Sequence, residues 1–110
     1  MPKENIDKLL RTAITERQLL EVVYHDKKRT VEPHDYGTLN GTAKLLAYQL
    51  IVGETTGRPP NWRLMNVDEI ESVRVLNKTF PGGRGPFQNP HKWDQLFARV
   101  MPSPRNLRRS

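Results

Sequence analysis

The sequence predicts a mainly β protein with a helix at each end. An apolar face with helical spacing opens the chain, short strand-like segments then follow one another between turn signals, and a second helical pattern lies near the C-terminus. Five successive short strands without helices between them favour an all-β barrel over a fold of alternating strands and helices. At 110 residues, the chain is long enough for one small domain.

The N-terminal segment is predicted to be an amphipathic helix. Its apolar residues recur at intervals of three and four positions, which places them on one helical face. These residues are Ile6, Leu9, Leu10, Ala13 and Ile14. The alternating, β-branched "LLEVVYH" then predicts the first strand, and "DKK" a charged turn.

Turn-forming residues divide the rest of the predicted barrel. "RTVEP" is the second strand, which Pro33 closes because proline cannot donate to a central ladder. Asn40-Gly41 predicts a two-residue hairpin, since both central residues of a type I′ turn need positive φ. "AKLLAYQLIVG" is the longest strand, apolar on both faces as in a curved barrel strand. "WRLMNV" and "ESVRVLN" supply the last two strands.

The C-terminal third differs in composition. "HKWDQLFARVM" carries apolar residues at helical spacing and predicts a second helix, either packed on the barrel or docked onto a partner. The expected organisation is therefore a barrel with its leading helix over residues 1–80, a loop and helix over 81–101, and a basic disordered tail over 102–110.

Most of the positive charge is C-terminal. The net charge is +6, and residues 80–110 hold six basic residues and only one acidic residue. A localised basic segment is typical of a nucleic-acid contact, here through Arg105, Arg108 and Arg109, although such a tail also serves solubility alone.

Several classes of protein are disfavoured. The chain has no cysteine, which removes disulfides and thiolate chemistry, and no apolar stretch long enough to cross a membrane. We therefore expect a cytoplasmic protein with no membrane partner, no metal and no cofactor.

"RTVEPHDYG" holds the densest set of chemically active side chains. Glu32 and His34 are predicted to share one side of the strand with Tyr36, so hydrolysis of a phosphoester is one hypothesis. Pro33 ends the strand, however, and no other group completes a metal site. A binding site requires fewer precisely placed groups than an active site. Arg29 offers a guanidinium that can bind phosphate or carboxylate through two N–H groups, and His34, Tyr36 and Tyr48 offer polar ends on rings that can stack.

The order of these segments resembles the WYL domain, the ligand-sensing part of bacterial transcriptional regulators. "AITERQLLEVVY" is similar to the family's opening, Arg29, Val31 and Pro33 match its next element, and "LLAYQL" and "MNVDEI" match later ones. "VEPHDYG", "GRPPNWRLMNVDEI" and "TFPG" are similar to short free-standing members. The resemblance implies an SH3/Sm-like barrel and an anion-binding pocket.

The chain also departs from that pattern. Ala43-Lys44-Leu45 stands where the family has Trp-Tyr-Leu, and Asn66 and Glu69 stand at the two family arginines of the closing segment. Arg29 is the family arginine that matches cleanly.

The sequence thus predicts a non-catalytic regulatory module that binds an anion, either a nucleotide or single-stranded nucleic acid. The candidate ligand-binding residues are Arg29, His34, Tyr36, Tyr48, Lys44 and Arg63. The alternative is a protein-interaction module that self-assembles through its sheet edges, with an incidental tail.

Overall fold

The computed structural model describes residues 2–53, 61–84 and 92–103, and the side chains from residue 5 onward. It contains α1 (Pro2–Glu16), β1 (Gln18–Tyr24), β2 (Lys27–Leu39), β3 (Thr42–Val52), β4 (Asn61–Asn66), a 3₁₀ turn (Val67–Glu69), β5 (Ile70–Thr79) and β6 (Gln95–Arg99). The mainly β character and the N-terminal helix are thereby confirmed.

The strands form one antiparallel sheet. Their order is β4-β3-β2-β1-β5, and β6 pairs with β2 beyond the end of β1. A barrel closes only when its outer strands pair along their length. Among the described residues β4 and β5 are joined by the 3₁₀ turn but not by a ladder, so the sheet is not the closed barrel that the sequence predicts.

The core lies between α1 and one face of this sheet. The predicted apolar face of α1 is buried at Ile6, Leu10, Ala13 and Ile14. It packs with fully buried strand residues, namely Leu20, Val22, Val31, Leu45, Ala47 and Met65. Each large apolar side chain buried in this way contributes about 1.5–3 kcal/mol.

Two tight hairpins set the register of the sheet. Asn40 and Gly41 have φ of 50° and 80° between paired Leu39 and Thr42, which confirms the predicted turn. His25 and Asp26, with φ of 53° and 64°, form a second two-residue turn. The turn between β1 and β2 therefore begins at His25, one residue before the predicted turn "DKK".

The second strand does not end at Pro33. It continues to Leu39, and Pro33 lies in a gap along one edge, where β1 pairs only as far as Val31 and β6 begins at Asp35. A register shift between Pro33 and Asp35 marks a bulge at the same point. Proline is tolerated here because a ladder donor is not required.

The predicted C-terminal helix is wrong, since residues 95–99 form β6. Beyond Val31, the edge of β2 would be left with unpaired N–H and C=O groups. β6 pairs with positions 35–38 of that edge and satisfies them. Gly37 permits the approach, because a Cβ on it would overlap the Gln95 carbonyl oxygen.

Candidate functional site

Two arginines lie at one end of the core face. Arg29 in β2 pairs with buried Val22, and Arg63 in β4 pairs with buried Ala47, so both share the face that carries the core. Gln49 and Asn61 are paired with each other on the same face. We call Arg29, Arg63, Gln49, Asn61 and Tyr24 the arginine site.

Arg29 is held in place by neutral acceptors. It is 6% exposed. Its Nε donates to the Tyr24 carbonyl oxygen at 3.2 Å, and its Nη1 donates to Gln49 Oε1 at 2.8 Å. Its guanidinium lies 5.6 Å from the centroid of the Tyr24 ring, and the Arg63 guanidinium lies 5.8 Å from the same centroid.

These bonds determine which hydrogen-bonding groups of the arginine site remain unused. Arginine only donates, so Gln49 must present its oxygen to Arg29 and its amide NH₂ to its other neighbour. That NH₂ donates to Asn61 Oδ1 at 3.3 Å. Within the described residues, the N–H groups without an acceptor are then the Asn61 NH₂ and the remaining arginine N–H groups, while the Gln49 and Asn61 amide oxygens each already accept one bond. A site whose unused groups are mainly charged donors suits an anion.

The charge of the arginine site is not neutralised within the part of the chain that the structure describes. The ion pairs there involve neither Arg29 nor Arg63. Burial lowers the pKa of Arg29, and the charge of Arg63 lowers it further. An unpaired buried cation is costly, and a bound anion would offset that cost.

His34 lies on the other side of β2, at the bulge. Glu32 pairs with Tyr48 and Asp35 pairs with Leu46, two positions apart in β3, so both carboxylates point to the face opposite the core. Tyr36 pairs with Leu45 and points into the core. The prediction that Glu32 and Tyr36 share one side is therefore wrong, because the bulge shifts the alternation by one residue.

Glu32 and His34 both form hydrogen bonds with Arg84. The carboxylate of Glu32 accepts two bonds from Arg84, from Nε at 2.7 Å and from Nη2 at 3.1 Å. His34 is fully buried; its Nδ1–H donates to the Glu32 carbonyl oxygen at 2.8 Å, and its Nε2 accepts from the Arg84 backbone N–H at 3.0 Å. The ring is thus held as one neutral tautomer, and burial lowers its pKa.

The other predicted residues are placed apart from the arginine site. The Tyr36 hydroxyl donates to Asp7 Oδ1 at 2.6 Å and joins the sheet to α1, and burial with this bond raises the pKa of Tyr36. Lys44 donates to Asn66 Oδ1 at 2.8 Å. Tyr48 lies on the face opposite the core, beneath Arg84.

The six predicted ligand-binding residues therefore divide into separate groups. Arg29 and Arg63 come together in the arginine site, whereas His34 and Tyr48 both contact Trp62 and Arg84. Tyr24, Asn61 and Arg84 were not predicted as site residues. The register of β3 with β4 would have revealed Asn61, but Arg84 follows a glycine pair without any periodic signal. Arg105, Arg108 and Arg109 lie outside the described residues.

Comparison with models of protein families, with curated proteins and with solved structures finds no match for this chain. In the described ranges, His, Asp and Glu side chains do not group in threes that could hold a metal ion. No helix among the described residues is long and apolar enough to cross a membrane.

Proposed function

We propose that this protein is a non-catalytic, WYL-like binding module whose arginine site recognises the phosphate of a nucleotide or of single-stranded nucleic acid. The observation that carries the proposal is Arg29, a buried arginine held by neutral acceptors beside a second arginine, with no carboxylate on either in the described residues.

The sheet topology supports the WYL-like part of the proposal. Strands β1 to β4 form a meander, and β5 returns to pair with β1. The two outer strands, β4 and β5, are joined by a single 3₁₀ turn, although no ladder between them closes an SH3/Sm-like barrel within the described residues. Arg29, the residue that matches the family pattern, lies in the site.

The test is a calorimetric titration of the full chain with AMP and with adenosine. We expect AMP to bind and adenosine not to bind, because the site offers donors for an anion. Binding should weaken as salt is raised, since phosphate contacts are screened. Arg63→Gln removes a donor at the accessible side of the site and should weaken AMP binding by about ten- to 150-fold.

The matched control is Arg74→Gln, which removes the same charge from an exposed arginine of β5. Arg29→Lys keeps the positive charge but loses the paired N–H donors of the guanidinium, so it should also weaken AMP binding. Equal effects of Arg63→Gln and Arg74→Gln would contradict the site. A tight oligomer by light scattering without AMP binding would favour the self-assembly hypothesis instead.

A further inference from the structure

Two ion pairs on the face of the sheet opposite the core share one arrangement. In each pair, a carboxylate of β2 lies beneath an arginine from a later segment of the chain. The Glu32 side chain is 7% exposed and that of Arg84 is 46% exposed. The Asp35 side chain is 6% exposed and that of Arg99 is 53% exposed. Glu32 and Asp35 pair with positions two apart in β3, so the two arginines cover neighbouring places on this face.

Hydrogen bonds hold both arginines in a fixed orientation. The Nε and Nη2 of each guanidinium donate to its carboxylate, at 2.7 and 3.1 Å for Arg84 and at 3.0 and 3.1 Å for Arg99. A guanidinium has five N–H donors. In the part of the chain that the structure describes, the other N–H groups of these two side chains have no acceptor. A carboxylate that reaches either arginine therefore meets donors that are already ordered, which lowers the entropic cost of binding.

Aromatic rings adjoin the first of these arginines. Glu32 in β2 pairs with Tyr48 in β3, and Tyr48 pairs with Trp62 in β4, so the three point to the same face. The Arg84 guanidinium lies 4.0 Å from the centroid of the Tyr48 ring. Trp62 is 39% exposed and meets Tyr48 edge-on at 5.2 Å between ring centroids. We call Arg84, Arg99, Tyr48 and Trp62 the outer patch.

The outer patch has the composition of a protein-interaction site. Trp, Tyr and Arg are the residues that most often carry the binding energy of protein interfaces, and Met is also enriched there. Met101 lies close by, since its carbonyl oxygen accepts from the N–H of Gly83, the residue before Arg84. The Met101 side chain is exposed and adds apolar surface.

The charge of the outer patch favours a carboxylate over a polyphosphate. Each arginine is paired with its own buried carboxylate, so the two pairs carry no net charge and attract a polyanion only weakly from a distance. At short range the arginines dominate, because they are exposed and the carboxylates lie beneath them. This arrangement suits an acidic side chain that docks beside an apolar one.

From these contacts we infer that the outer patch is a docking surface for an acidic segment of another protein. An apolar side chain of the partner packs on Trp62 and Tyr48, while an adjacent carboxylate accepts hydrogen bonds from Arg84 or Arg99. The outer patch and the arginine site lie on opposite faces of the sheet, so both can be occupied together. This inference does not depend on the proposed function.

The test titrates the full ¹⁵N-labelled chain with acetyl-aspartyl-phenylalanine amide, a small probe that places a carboxylate beside an apolar ring. NMR follows the indole N–H of Trp62 and the Nε–H of Arg84, and we expect both signals to shift in a saturable way. The neutral isostere acetyl-asparaginyl-phenylalanine amide should bind about five- to tenfold more weakly, because it cannot accept charge-assisted hydrogen bonds.

Two variants separate the aromatic and the charged parts of the outer patch. Trp62→Leu keeps an apolar side chain but removes the ring, and should weaken probe binding, followed at Arg84, by about five- to 30-fold. Arg84→Lys keeps a charge beside Glu32 but loses the oriented donors, and should weaken probe binding, followed at Trp62, by about three- to tenfold.

The matched control is Arg74→Lys, which changes an exposed arginine of β5 that is also paired with a glutamate, Glu21. It should leave probe binding unchanged. Urea unfolding of each variant checks that the fold is retained, and the comparison of the two probes on the unaltered chain decides the matter if a variant does not fold.

Four outcomes would overturn the inference. They are equal binding of the two probes, the absence of a saturable shift at Trp62, equal effects of Arg84→Lys and Arg74→Lys, and displacement of the probe by oligo(dT), which would assign the outer patch to nucleic acid. Loss of probe binding in Arg63→Gln but not in Trp62→Leu would also contradict it, because the probe would then occupy the arginine site.

Discussion

His34 joins three segments of the chain through hydrogen bonds that require its neutral form. Its Nδ1–H donates within β2, and its Nε2 accepts from the Arg84 backbone N–H. The His34 carbonyl oxygen accepts from the Val100 N–H, at the end of β6. A proton on Nε2 would oppose the Arg84 N–H and leave that donor unsatisfied, which costs about 1–3 kcal/mol. It would also place a positive charge on a fully buried ring.

The expected result is a loss of stability at acid pH. Burial lowers the pKa of folded His34 below the unfolded value of 6.5, so the unfolded chain binds the proton more readily. The contribution of His34 to the free energy of unfolding is therefore largest above about pH 6.5 and falls as the pH decreases. The fall is about 1.4 kcal/mol per pH unit until the folded-state pKa is reached. The hydrogen bond to the Glu32 backbone and the charges of Glu32 and Asp35 oppose this lowering of the pKa.

The assay is urea unfolding of the wild-type chain and of His34→Asn between about pH 8 and about pH 5. His34→Asn should be less stable at neutral pH but should lack this component of the pH dependence. His25→Gln removes an exposed histidine and serves as the matched control. Parallel loss of stability in wild type and His34→Asn as the pH falls would refute the reasoning.

Two further predictions concern the C-terminal segments. Gly37→Ala places a Cβ against the Gln95 carbonyl oxygen, so it should lower the free energy of unfolding by about 1–3 kcal/mol. Gly83→Ala, whose Cβ would lie 3.3 Å from the nearest side-chain atom, should cost less in the same urea titration, and equal losses would contradict the close approach of β6 to Gly37. Arg84→Met leaves the buried Glu32 carboxylate without its two donors and should cost about 1–3 kcal/mol. The double variant Arg84→Met/Glu32→Gln should lose less free energy of unfolding than the two single variants together. Additive losses would contradict an interaction between Arg84 and Glu32.

The patterns that predicted the fold correctly are local ones. The face of α1 follows from residue spacing, because a helix turns every 3.6 residues whatever surrounds it. The Asn40-Gly41 hairpin follows from the left-handed conformation that these two residues adopt readily. Such features depend on neighbours along the chain, so the sequence alone is sufficient to predict them.

The candidate site was predicted less well, because it depends on register. Arg29 and Arg63 were identified as basic residues on strands, but their meeting depends on the pairing of β2, β3 and β4. The bulge at His34 reverses the side on which Tyr36 lies, and nothing in the alternation of "VEPHDYG" indicates that extra residue. Arg84 reaches Glu32 across 52 positions of sequence.

By itself, then, the sequence determined the N-terminal helix, most of the strands and the Asn40-Gly41 turn, and it indicated Arg29 as a candidate binding residue. Tertiary structure decided that residues 95–99 form β6 and that Arg29 meets Arg63 rather than His34 or Tyr36. The physical reason is the same in both cases. A short segment whose sequence is compatible with both a helix and a strand becomes a strand when it can pair with an open strand edge. In the same way, the register of a strand determines which residues each of its side chains contacts.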